Sequence, residues 1–246
     1  MATDSPARTS KLTPDNMVNR ASPVLTSLPS SWALMMVCER VFKVFLRSAL
    51  ACALVFPAAL AHAATILVYG DSLSAAYGLA REQGWVHLLA QRLREEKLDY
   101  KVANASISGE TTVGGRNRIQ TALKEHRPKV VILELGANDG LRGGNLDTVR
   151  ENLEAIIEAS RAADARVLLV GLRLPPNYGT AYTEKFHQTY RDVAKKKKVR
   201  LVPYFFEGIG EKSEYFQPDG IHPTAQAQPV LLETVWKELR PLLKSQ

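Results

Sequence analysis

Thr65-Ile66-Leu67-Val68-Tyr69-Gly70-Asp71-Ser72-Leu73-Ser74 is the stretch on which the reading of the whole chain turns. Its first half is a short apolar run with β-branched residues, which reads as a buried strand. Its second half is a polar turn that sets a serine at the strand's carboxyl end, where open α/β sheets hold their ligands. Gly-Asp-Ser alone is also ordinary turn chemistry. The remainder of the chain decides between the two readings.

Downstream, short apolar runs alternate with amphipathic stretches. Trp85, Leu88, Leu89 and Leu93 share one helical face, and residues 100–102 form a brief strand that leads into Asn104-Ala105-Ser106-Ile107-Ser108-Gly109. Thr111 or Thr112 can cap a helix carrying Ile119, Ala122 and Leu123. Residues 129–135 are the strongest strand and run straight into Gly136-Ala137-Asn138-Asp139-Gly140. A helix marked by Leu146, Val149, Leu153, Ile156 and Ile157 precedes a fourth strand at 166–170. The Pro-rich loop 173–179 then leads to a helix striped by Tyr182, Phe186, Tyr190 and Val193. A fifth strand at 199–202, a long loop and a last helix with Leu231, Leu232, Val235, Trp236 and Leu239 complete the chain. Five strands alternating with helices predict a parallel sheet covered on both faces, an α/β domain of three layers. Neither an internal repeat nor an interdomain linker interrupts it.

The first 63 of the 246 residues read differently. Arg40, Lys43 and Arg47 are followed by an apolar run at 48–60 and by Ala61-His62-Ala63, the three parts of a secretory signal cleaved after Ala63. That run is far shorter than the roughly 20 residues a membrane span needs, so no stable membrane anchor is expected. The polar segment before Arg40 is long for such a leader, and Met35 or Met36 would give a more usual start. The expected layout is therefore a leader at 1–63 and one domain at 64–246, located in the periplasm or secreted. Both cysteines, Cys38 and Cys52, fall in the leader, so the domain holds no disulfide. The leader takes six basic and three acidic residues from a net charge of +7, leaving +4. Such a mild excess does not call for nucleic acid, and the run Lys195-Lys196-Lys197-Lys198 reads as a solvated helix end.

In a parallel sheet the loops after the strands converge on one edge. Those loops hold Ser72, Gly109, Asn138, and Asp219 with His222. Singly, each is also a common turn or surface residue. Together they make an acyl-transfer site. A serine hydroxyl needs a base, His is the usual one near neutral pH, and a carboxylate fixes its tautomer. Asp219 lies three residues before His222, within reach inside one turn. The Ser72 and Gly109 backbone amides and the Asn138 side-chain amide supply donors for an oxyanion. Leu73, Leu141, Leu174, Pro175 and Tyr178 lie in the same loops and are expected to line a groove for a linear acyl chain, with the Gly-bounded segment 136–144 adjusting on binding. Asp71 and Asp139 read as loop braces. No His-x-x-x-His, paired-cysteine or glycine-rich phosphate motif is present, so neither metal nor nucleotide cofactor is expected.

These blocks, in this order, resemble the SGNH/GDSL hydrolase superfamily, and within it the bacterial periplasmic branch described as acyl-CoA thioesterase, arylesterase and lysophospholipase. Gly70-Asp71-Ser72-Leu73-Ser74 matches the block carrying the nucleophile. Residues 104–109 and 134–143 match those carrying the glycine and asparagine oxyanion donors, and Asp219-Gly220-Ile221-His222-Pro223 matches the one carrying acid and base. The resemblance implies a flavodoxin-like three-layer sandwich and a serine esterase without cofactor. It implies a small acyl ester or thioester as substrate, lysophospholipids included. A carbohydrate acetylesterase using the same machinery is the alternative, followed by a lipid-binding protein that has lost catalysis. The Gly-x-Ser-x-Gly elbow of the α/β-hydrolases is absent around Ser72.

Overall fold

Strands that are apolar along their whole length must be covered on both faces, and the molecule is built around that requirement. The computed structural model describes residues 63–243 together with Met35 and Glu39. The chain divides into two units, 1–60 and 61–246, and the second holds the sheet and its helices. The expected signal segment lies almost wholly outside the described residues. In chain order the elements are Ala64–Gly70 (β1), Trp85–Glu95 (α1), Tyr100–Asn104 (β2), Thr112–His126 (α2), Val130–Glu134 (β3), Ala137–Leu141 (α3), Leu146–Ala162 (α4), Arg166–Val170 (β4), Thr180–Lys197 (α5), Arg200–Val202 (β5) and Gln228–Leu243 (α6).

The five strands form one parallel sheet in the order β2-β1-β3-β4-β5. Helix α2 packs on α4 and α4 on α5, while α1 packs on α6, so two separate helical groups flank the sheet. This is the doubly wound three-layer arrangement of the flavodoxin type. Residues 66–69 of β1 and 130–133 of β3 have no solvent exposure at all. Each such aliphatic side chain contributes on the order of 1.5–3 kcal/mol through burial.

Local chemistry sets the element ends. The Thr111 hydroxyl oxygen accepts from the Gly114 N–H and starts α2, and Arg127 closes it in a left-handed conformation at φ 43°. Asn145 Oδ1 accepts from the Asp147 and Thr148 amides and starts α4. The strand order reverses between β1 and β3, because β2 lies outside β1 and the chain crosses back. The crevice at that switch point is where such sheets bind ligands. The Ser72 turn and the α3 segment border it.

One segment differs from the sequence reading. Residues 136–144, expected as a glycine-bounded loop, contain the helical turn α3. Gly136 enters it at φ +118°, and its neighbours pin it: the Tyr182 hydroxyl donates to the Gly144 carbonyl at 3.0 Å, and the Tyr178 hydroxyl to that of Leu141 at 3.0 Å.

Candidate active site

After β1 the chain turns at Asp71, and its side chain shapes that turn. The Leu73 N–H donates to Asp71 Oδ1 at 3.0 Å, and the Ala75 N–H donates to the Asp71 carbonyl at 3.0 Å. Ser72 is thereby presented half-buried at the start of a helical turn, above the sheet edge. Beneath it, Glu134 at the end of β3 accepts from the Ser74 hydroxyl at 2.7 Å and from the Asp71 N–H at 3.4 Å. Gly70 is needed here: a Cβ at that position would lie 2.6 Å from Glu134 Oε2. Asp71 and Glu134 are both essentially buried. Burial raises the Asp71 carboxyl to about 7 and, with Asp71 close by, carries that of Glu134 well above the carboxylate range.

The loop after β2 clasps this turn. Asn104 Nδ2 donates to the Ser74 carbonyl at 2.8 Å, the Ile107 N–H to the Gly70 carbonyl at 3.1 Å, and the Gly70 N–H to Ser106 Oγ at 3.1 Å. Gly109 follows at φ +79°, a conformation natural to glycine. From α3, Asn138 Nδ2 donates to Asp71 Oδ2 at 3.2 Å and to the Glu110 carbonyl at 3.0 Å. Asp139 accepts instead from the Thr112 amide and hydroxyl, tying α3 to the start of α2. Both aspartates therefore brace loops, as their sequence context suggests.

His222 arrives from the far end of the chain. A β-bridge between Phe216 and Pro223 narrows the long loop, and the Gln217 N–H donates to the His222 carbonyl at 2.7 Å. Within the turn, Asp219 Oδ1 accepts from the Ile221 and His222 amides at 2.9 Å each. Asp219 Oδ2 stands 2.7 Å from His222 Nδ1, and His222 Nε2 stands 2.8 Å from Ser72 Oγ. Some desolvation pulls the Asp219 carboxyl up, but the two amides and the imidazole outweigh it and hold it at about 2. An ionised Asp219 can only accept, so Nδ1 carries the proton and Nε2 is free to accept the Ser72 hydroxyl proton.

The structure thus brings Ser72, Asp219 and His222 into one hydrogen-bonded chain, with Gly109 and Asn138 on the neighbouring loops. A groove of about 1010 Å3 opens from Ser72 and His222. Leu73, Leu141, Leu174 and Pro175 line it as expected, whereas Tyr178 does not: it is exposed, and its hydroxyl donates to the Leu141 carbonyl. Tyr204, Phe206 and Phe216 also line the groove, from a loop with no periodic pattern, and the sequence does not foresee them. Tyr77 is a second residue that sequence reasoning misses. Its ring lies 4.3 Å from that of His222, and Gln217 Nε2 donates to its carbonyl at 2.9 Å, joining the nucleophile loop to the histidine loop. Its one signal is an aromatic side chain five residues after the serine. Among the described residues no group of three or more His, Cys, Asp or Glu side chains gathers to hold a metal.

A doubly wound sheet that sets a serine, a histidine and an aspartate in hydrogen-bonded line at its carboxyl edge defines a class of serine-dependent hydrolases. Residues 68–228 match the model of the GDSL-like lipase/acylhydrolase family, and the chain belongs to that family. It is 52% identical over 183 residues to the esterase TesA of Pseudomonas aeruginosa, covering 74% of this chain and 91% of that one. It is 42% identical over 183 residues to the thioesterase 1/protease 1/lysophospholipase L1 of Escherichia coli, covering 74% and 86%. The crystal structure of the psychrotrophic esterase EstA from Pseudoalteromonas sp., inhibited by monoethylphosphonate, superposes with a TM-score of 0.70. It is 39% identical, and the match covers 74% of this chain and 99% of that one.

Proposed function

We propose that the protein is a serine esterase that hydrolyses carboxylic esters and thioesters of acyl chains through an acyl-enzyme. The observation carrying this reading is the unbroken chain from Asp219 through His222 to Ser72, with contacts of 2.7 and 2.8 Å. His222 Nε2 takes the Ser72 proton as Oγ attacks the carbonyl carbon. The resulting imidazolium stays paired with Asp219. Neither the Ser72 nor the Gly109 amide has a hydrogen-bond partner among the described residues, so both can donate to the oxyanion. Asn138 joins them by exchanging its longer bond, the 3.2 Å contact to Asp71, for the new anion. His222 then returns its proton to the leaving oxygen or sulfur, and the acyl-enzyme forms. Water, deprotonated by the same imidazole, releases the acid and restores Ser72.

The apolar lining of Leu73, Leu141, Leu174 and Pro175 supports an acyl chain as the group transferred. The names of the relatives, an esterase and a thioesterase/lysophospholipase, support the same class of substrate. The signal-like segment ending at Ala63 supports export to the periplasm or beyond, and N-terminal sequencing of the exported protein tests it.

The catalytic reading is tested with Ser72→Ala. Hydrolysis of p-nitrophenyl decanoate should fall at least about 10³-fold, and a fluorophosphonate probe that labels the wild type should leave the variant unlabelled. Asn138→Ala should cost about 10²–10³-fold in kcat. Undiminished turnover by the Ser72 variant would end the proposal.

A further inference from the structure

Gly109 carries its oxyanion donor on a glycine at φ +79°, and a Cβ there would meet nothing within 4 Å. Its place is set from the next residue. The Glu110 carbonyl accepts from Asn138 Nδ2 at 3.0 Å, the bond Asn138 keeps when it turns from Asp71 to the anion. Two of the three donors therefore take their positions from Glu110, one through a peptide bond and one through a hydrogen bond. The Glu110 carboxylate is held in turn by Arg118 of α2, whose Nε donates to Oε2 at 2.5 Å. Arg118 Nη1 donates to the Ala105 carbonyl at 2.8 Å, at the other end of the same loop. One planar fork thus spans both ends of the loop, a geometry that a point-like ammonium does not reproduce. The Tyr69 ring backs it, with the guanidinium carbon 4.1 Å from the centroid. Gly114 leaves room for the carboxylate, since a Cβ there would lie 2.0 Å from Glu110 Oε1. The two side chains are only 24% and 12% exposed, so solvent screens them less than a surface pair. Arg118 Nη2 is buried with no hydrogen-bond partner among the described residues, a destabilising feature that stability alone does not explain.

We propose, resting on the esterase function, that Arg118 and Glu110 are positioning residues for the oxyanion hole: their ion pair clips the loop after β2 so that the Gly109 and Asn138 amides both aim at the carbonyl oxygen at Ser72. Neither side chain lines the groove. Loosening the clip therefore weakens the hold on the transition state and leaves ground-state binding of the substrate alone.

The test uses the full chain and p-nitrophenyl butyrate, with kcat expressed per serine labelled to completion by a fluorophosphonate, which cancels any loss of folded enzyme. Arg118→Gln should lower that kcat about tenfold or more, with KM within about twofold of the wild type. It should raise by a similar factor the Ki of an alkyl trifluoromethyl ketone, whose adduct with Ser72 places an oxyanion in the hole. Glu110→Gln keeps an oxygen for the Thr111 N–H and loses the ion pair, and should lower kcat about threefold or more. Arg118→Lys keeps the charge without the span and should recover part of the Arg118→Gln loss. In an Asn138→Ala background the Arg118→Gln loss should shrink at least about threefold, because one of the two donors it positions is gone. A kcat within about twofold of the wild type in Arg118→Gln or in Glu110→Gln would overturn the clip, as would an Arg118→Gln loss that multiplies in full with that of Asn138→Ala. Each of these results leaves the esterase function standing. A wild type that neither cleaves the ester nor takes the label at Ser72 overturns both.

Discussion

When His222 takes the Ser72 proton it becomes a cation, and the ring of Tyr77 is already in place against it, tilted 35° at 4.3 Å. An aromatic face attracts a cation and also shields the imidazole from water, so Tyr77 acts as a positioning residue for the base. Tyr77→Ala should lower kcat about fivefold to tenfold on neutral esters with little change in KM, and Tyr77→Phe should restore most of it, because the ring rather than the hydroxyl is used. Equal losses in the two variants would assign the effect to the hydroxyl instead. Asp219 adds a second expectation at this scale. Its carboxyl is held at about 2, so it stays ionised across the working range. Without the imidazole that carboxylate has no route to the Ser72 hydroxyl, so His222→Ala should lose the bulk of kcat/KM on a p-nitrophenyl ester.

Among the elements, α3 shows how a site can depend on one backbone conformation. Gly136 sits at φ +118°, and a Cβ there would collide with the Tyr190 hydroxyl, which itself bonds the Leu135 carbonyl at 2.9 Å. Gly136→Ala should therefore destabilise the fold by about 2 kcal/mol or more, read as a lower urea midpoint, and should misplace Asn138 in whatever fraction still folds. Sequence alone does not disclose this helix. Gly136, Asn138, Asp139 and Gly140 all favour turns, and the carboxylate that would otherwise compete for its own backbone is bound by Thr112, a partner 27 residues away. The strands and longer helices are legible because the sheet buries whole apolar runs and each helix buries one stripe. Ser72, His222 and their partners are legible because they sit in loops that the sheet must gather. The groove lining supplied by Tyr204, Phe206 and Phe216 is not, since an aperiodic loop takes its shape from contacts such as the Phe216–Pro223 bridge and not from its own pattern.

At the scale of the molecule, the buried carboxyls make stability fall as pH rises. Asp71 is raised to about 7 from an ordinary 3.8, and Glu134 shifts the same way, so the folded state holds protons that the unfolded chain releases. Their contribution is most favourable at low pH and is lost progressively as pH climbs from 3.8 towards about 7. Asp219 has the opposite sign, with stability present above its unfolded value and lost as pH falls through about 2. Glu134→Gln removes one ionisable member of the buried pair and keeps an oxygen to accept from Ser74. Its Tm should gain on that of the wild type as pH goes from about 5 to about 8, and a constant difference would refute the assignment. The attacking hydroxyl and its base are also separated by 150 residues, the one following the first strand and the other preceding the last helix. Without the loop at 219–222, the turn after β1 carries a nucleophile with no base. The site therefore exists only in the folded chain, once the turn after the first strand and the loop before the last helix have met.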